Sequence, residues 1–138
     1  MPAMPPLRFL VFKSDGCAHC AALDKQQTIE KFITKHCAAS TKIHRLSCAD
    51  KDGETPDGTD YYKAYKLSDD YGVEMFPTVI LEARLPDGSG LELSRTEGGV
   101  SSRDFDKTFT QALEAYGEQV EADEGRSQNE ASKDLSWA

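Results

Sequence analysis

The chain reads as an α/β protein, with one central mixed sheet of about four strands flanked by helices in the order β-α-β-α-β-β-α. Three observations predict this. Short apolar runs, too brief for helices, alternate with longer segments in which apolar residues recur at helical spacing. A strand-helix-strand unit comes first, and such a unit closes right-handed with its two strands parallel. A turn-linked pair of strands then precedes a final amphipathic helix, which adds antiparallel pairing to the same sheet. At 138 residues the chain fits one domain that buries a core without disulfide staples.

The elements follow in order. Residues 7–12, LRFLVF, form an apolar run suited to a strand buried on both faces. Between Cys17 and Cys37, the residues Leu23, Ile29, Phe32 and Ile33 fall at mostly helical spacing, with Lys, Gln and Glu on the other face, so one long helix is expected. Residues 41–48, TKIHRLSC, alternate and form a second strand, and residues 49–60 collect Gly, Pro and Asp as a loop. Thr59 or Asp60 is placed to cap a helix that carries Tyr61, Tyr62, Tyr65 and Leu67 and ends near Gly72. The tyrosines are expected in core and rim, and Asp69 and Asp70 in a solvated turn.

MFPTVILEARL is the third strand, PDGSG a turn and LELSRTE the antiparallel partner. Gly98 and Gly99 break the pattern, and Ser101 or Ser102 caps a last helix through Phe105, Phe109, Leu113 and Tyr116. The expected organisation is a flexible N-terminus over 1–6, a domain over 7–117 and a disordered acidic tail over 118–138.

Composition excludes several classes. The net charge of −8 and the lack of any basic run argue against a nucleic-acid partner, whose phosphates are met by clustered Lys and Arg. No stretch is long enough to cross a bilayer, and the N-terminus lacks the pattern of a signal peptide. A cytoplasmic monomer is therefore expected, unless a leader has been removed. In a reducing compartment a close cysteine pair is catalytic or metal-binding more often than structural.

That pair is Cys17 and Cys20 in SDGCAHC, three positions apart at the start of a helix. There the unpaired backbone N–H groups and the positive end of the helix dipole favour thiolate over thiol. Cys17, nearer the helix start, is expected to attack a disulfide, and Cys20, one turn deeper, to resolve the mixed disulfide. The spacer Ala18-His19 tunes the pair: His19 adds a donor and, when protonated, a positive charge, which favours the dithiol.

Zinc is the competing reading, since Cys17, Cys20, Cys37, Cys48, His36 and His44 supply ligands enough in number. Geometry opposes it. A helix from Cys17 to Cys37 is roughly 30 Å long, which carries Cys37 to the far end of the domain. The strand that follows runs back about 23 Å, separating Cys48 from Cys37 and opposing a disulfide between them. No metal is expected; Cys37 and Cys48 read as small, partly buried hydrophobes. Cys48 also ends on the sheet edge of the cysteine pair, where it is a candidate secondary redox or modification site.

A strand, then CAHC at a helix start, then YGVEMFPTVIL over 71–81 resembles the thioredoxin superfamily, in which a G-V-x-x-x-P-T segment carries a cis-proline facing the cysteine pair. Pro77 matches that proline, and the EGGVSS segment leading into the last helix is also similar. The resemblance covers about 7–116. It implies a cis bond between Phe76 and Pro77, and a site in which Phe76, Pro77 and Thr78, with Gly98 and Gly99, receive an extended partner segment. The implied activity is thiol-disulfide exchange with protein thiols and disulfides and with a dithiol reductase or oxidant, in electron transport and cell redox homeostasis. No cofactor is implied beyond the Cys17–Cys20 disulfide.

The chain departs from the family in places. SDGCAHC stands where WCGPC would be, and Val11 stands where thioredoxins place a buried acid, so Asp15, Lys13 and water are the candidate proton acceptors for Cys20. About sixteen extra residues lie before Pro77, in the region of KDGETPDGTDYYKAY, and the order without a leading strand and helix approaches the minimal glutaredoxin-like layout. Glutathione is accordingly an alternative partner, although Ser101 stands where a glutaredoxin Gly-Gly-x-Asp turn has its acid. A non-catalytic binding module or a zinc-binding module is the other alternative.

Overall fold

β-branched and aromatic residues crowd the two central strands, and their register decides which side chains share a face. The computed structural model describes residues 6–14, 17–47 and 66–122. In chain order these form β1 (Leu7–Lys13), α1 (Ala18–Gln26), α2 (Thr28–His36), β2 (Lys42–Ser47), a helical stretch α3 (66–70), β3 (Thr78–Arg84), β4 (Gly90–Glu97) and α4 (Ser102–Ala122). The sheet order is β2-β1-β3-β4, with β1 parallel to β2 and antiparallel to β3, and β4 antiparallel to β3. This is the mixed four-stranded sheet expected from the sequence.

Alternation in β1 sends successive side chains to opposite faces. Phe9 and Val11, with Val79 and Leu81 of β3, meet Ile29, Phe32 and Ile33 of α2 and Phe105 and Phe109 of α4. Phe9 is central there, with its ring centroid 5.3 Å from Phe109 and 5.8 Å from Phe32, both edge-to-face. Such ring pairs contribute about 0.5–1.5 kcal/mol each beyond area burial. On the opposite face, Leu10 and Phe12 pack with Ile80, Leu67 and Tyr71.

The single helix expected between Cys17 and Cys37 is two. Gln27 adopts a left-handed conformation with φ of 52°, and α2 restarts at Thr28. The break lets the two segments follow different surfaces: α1 buries only Cys20, while α2 buries Ile29, Phe32 and Ile33 against the aromatic core. Lys13 and Arg45 both reach Asp24 of α1, at 3.2 Å each, which ties the helix to β1 and β2. Burial pushes the Asp24 carboxyl up, but these two cations outweigh it and hold it below the ordinary carboxylate value.

The last helix passes through Gly117 to Ala122, beyond the point at which the sequence reading ends the domain. One glycine costs a helix about 1 kcal/mol relative to alanine, and the flanking Ala, Glu and Gln are good helix formers. Ser101 is its cap: the hydroxyl accepts from the Asp104 N–H at 3.1 Å. Cys48, Asp15, the 49–60 loop and Tyr61, Tyr62 and Tyr65 lie outside the described residues.

Candidate active site

Cys17 is the N-cap of α1 in extended conformation, with φ of −86° and ψ of 109°, and Cys20 lies in the first turn. The two form a disulfide with Cα atoms 5.2 Å apart. Helical spacing alone brings residues i and i+3 onto one face, so a C-x-x-C at a helix start closes without distorting the helix. Cys17 is half-buried, Ala18 and His19 are exposed, and Cys20 is 5% exposed. The Cys20 N–H donates to the Cys17 Sγ at 3.2 Å. That donor, with the other free N–H groups of the helix start, faces the sulfur on which negative charge develops when the pair is reduced.

The Phe76–Pro77 peptide bond is cis. Pro77 and Thr78 are buried and Phe76 is half-buried. The Pro77 carbonyl accepts from the Gly98 N–H at 2.8 Å, and the Thr78 hydroxyl donates to the Met75 carbonyl at 2.7 Å. Thr78 is wholly buried, so it closes the 75–78 turn from within rather than presenting a side chain to a partner.

A cleft of about 310 Å³ lies between α1 and the turn into α4, with His19, Leu23, Pro77, Gly98, Gly99 and Val100 among its lining residues. The structure thus brings His19, Pro77 and the glycine pair into one cleft beside the cysteines. Gly98 has φ of 74°, a conformation that favours glycine. Gly99 is needed for space instead, because a Cβ there would overlap the His19 imidazole. Gly99→Ala should therefore displace the His19 ring while leaving the fold intact. The His19 ring resonances should move in an NMR comparison with little change in stability, and unmoved resonances would remove this account of Gly99.

Two exposed residues of this rim have no precedent in the sequence reading. Met75 is 48% and Val100 40% exposed, the large apolar side chains that stand out among the described residues. Val100 lines the cleft, and the Met75 Sδ lies against Gly98. The sequence reading sets Met75 first in the third strand, but β3 begins at Thr78, and Val100 is legible there only as a single apolar residue after the glycine pair.

Val11 is buried among apolar residues, and the Lys13 Nζ is engaged by the Asp24 carboxylate at 3.2 Å. Cys37 is far from the site: it lines a cavity of about 620 Å³ with Pro6 and Leu7, at the start of β1, whereas Cys17 follows its end. Burial pushes its thiol up to about 11, which keeps it protonated and unreactive near neutrality. His36 pairs with Asp106 at 3.2 Å on the surface between α2 and α4. Among the described residues no group of three or more His, Cys, Asp or Glu is arranged to hold a metal, and no helix is long and apolar enough to cross a membrane.

No protein-family model matches the chain, and no curated protein does. Solved structures do. A DsbH oxidoreductase superposes with a TM-score of 0.56 at 18% identity, over 80% of this chain and 74% of that one. A thioredoxin from Thermus thermophilus gives 0.54 at 16% identity, over 90% and 84%. A thioredoxin-like protein from Clostridium perfringens gives 0.51 at 16% identity, over 92% and 80%. At such identities the likeness is one of backbone, and together with the sheet order and the close cysteine pair it establishes that this chain has a thioredoxin-like fold.

Proposed function

We propose that the protein is a thiol-disulfide oxidoreductase that exchanges its Cys17–Cys20 pair with protein thiols and disulfides, the disulfide itself being the redox group. The observation that carries this reading is the disulfide at the α1 N-cap, in which Cys17 is half-buried and Cys20 buried. In the reducing direction the Cys17 thiolate attacks a partner disulfide, forming a mixed disulfide and releasing one partner thiolate. Cys20 then loses its proton and attacks the Cys17 sulfur, releasing the second partner thiolate. The partner gains two electrons and takes up two protons, and the Cys17–Cys20 bond is restored. The oxidising direction is the reverse.

His19 on the exposed side of the pair supplies a donor and, protonated, a charge that favours the reduced form. Met75 and Val100 supply apolar surface for a partner chain laid beside Pro77. Equilibration of the pair in glutathione redox buffers tests the reading: Cys17 and Cys20 should titrate together as one two-electron couple.

A further inference from the structure

A buried polar network joins β1, β3 and Tyr71 and takes no part in the exchange chemistry. Arg8 of β1 and Glu82 of β3 are 1% and 0% exposed and stand opposite each other in the β1–β3 register. The Arg8 Nε donates to the Glu82 Oε1 at 2.8 Å, and the Tyr71 hydroxyl donates to the Glu82 Oε2. Tyr71 is held at its backbone as well. Its carbonyl accepts from the Arg95 Nη2 at 2.8 Å, and the Arg95 guanidinium is fixed by two bonds to the Glu92 carboxylate at 2.7 Å each.

Stability alone does not explain this arrangement. A buried ion pair is commonly matched or surpassed by well-packed apolar residues of the same volume, because desolvation offsets the attraction. Its distinctive consequence is direction. Tyr71 closes α3 and begins the segment 72–77 that ends in the Phe76–Pro77 bond, and Pro77 is tied at the other end to Gly98. Apolar packing through Phe12 and Leu67 holds the Tyr71 ring in the core and its N–H bonds the Leu67 carbonyl at 2.9 Å, while the hydroxyl and carbonyl contacts add restraints that reach it from β3 and β4.

We propose that Tyr71, gripped by Glu82 from β3 and by Arg95 from β4, is a positioning residue that sets the Pro77 segment for a protein partner. The role rests on the oxidoreductase reading for its functional consequence. It acts on the docking of a partner chain rather than on the sulfur chemistry, since no member of the network is among the residues that line the cleft.

Tyr71→Phe removes the hydroxyl and keeps the ring; Arg95→Met removes the grip on the carbonyl and leaves the core pair intact, which guards against a first variant that does not fold. In each, the KM for insulin as protein disulfide, with dithiothreitol as reductant, should rise about three- to tenfold with kcat little changed. The Cys17–Cys20 equilibrium in glutathione buffer should stay at the wild-type value. Amide exchange at Gly98, the partner of the Pro77 carbonyl, should accelerate about tenfold or more relative to Ile80 in the core of β3. Wild-type KM, or wild-type Gly98 protection relative to Ile80, in a variant that folds overturns the proposal. A wild-type protein that does not reduce insulin sinks the oxidoreductase reading instead, and Gly98 exchange then still decides whether Tyr71 positions the segment.

Discussion

Cys17→Ser should reduce dithiol-disulfide turnover to the uncatalysed background, whereas Cys20→Ser should keep the first attack and accumulate a mixed disulfide. The asymmetry comes from placement. Cys17 is the more accessible sulfur and receives the Cys20 N–H, so its charge is the one that the helix start stabilises. A serine hydroxyl at the same point is barely ionised near neutrality and does not attack a disulfide. Cys20 is enclosed, so a partner reaches it only through Cys17. With Cys20→Ser the partner should remain attached to Cys17, visible by mass as a covalent adduct that a reductant releases. Adducts on Cys20 in the Cys17→Ser protein would reverse the assignment. Cys37 lies at the other end of β1 from the pair, and burial disfavours its thiolate, so neither result should depend on it.

Glu82→Ala should be strongly destabilising, although it removes no apolar core side chain. It removes the carboxylate to which the buried Arg8 guanidinium and the Tyr71 hydroxyl both bond. Removing one partner of a buried ion pair costs about 3–5 kcal/mol, which for a domain of this size is on the order of 10–20 °C in Tm. The triple change Arg8→Met, Glu82→Leu and Tyr71→Phe removes the ion pair and the hydroxyl together and should recover most of that loss. Urea unfolding of the two proteins makes the comparison. Equal losses in the single and triple variants would show that volume, not the loss of the carboxylate, governs the cost.

Much of this arrangement was legible in the sequence, because it depends on local signals. Strand runs, the CAHC helix start, the turn over PDGSG and the serine before α4 each declare themselves through side-chain type and period. Pro77 was legible as a site residue only through the distant pairing of the Phe-Pro-Thr segment with the cysteines. What stayed hidden depends on tertiary register. Arg8 and Glu82 are each a charge set between apolar neighbours in a strand, and that is the signal that was available; their opposition appears only when β1 is set antiparallel to β3. The break at Gln27 had no local marker, since glutamine has no preference for a positive φ. It follows instead from α2 turning its Ile29, Phe32 and Ile33 face onto Phe9 and Phe105. The seat of His19 over Gly99 likewise joins residues that are far apart in the sequence.

The central claim is that Cys17 and Cys20 form one redox couple, and equilibration in glutathione buffers of graded ratio tests it most directly. Each sample is quenched by alkylation and read by mass, in the wild-type chain and in a Cys37→Ser/Cys48→Ser variant. The account predicts a single two-electron transition, the same in both proteins, with Cys17 and Cys20 oxidised or alkylated together. Purified protein with zinc held stoichiometrically on these thiols, or a pair that forms only mixed disulfides with glutathione and never the internal bond, would contradict it.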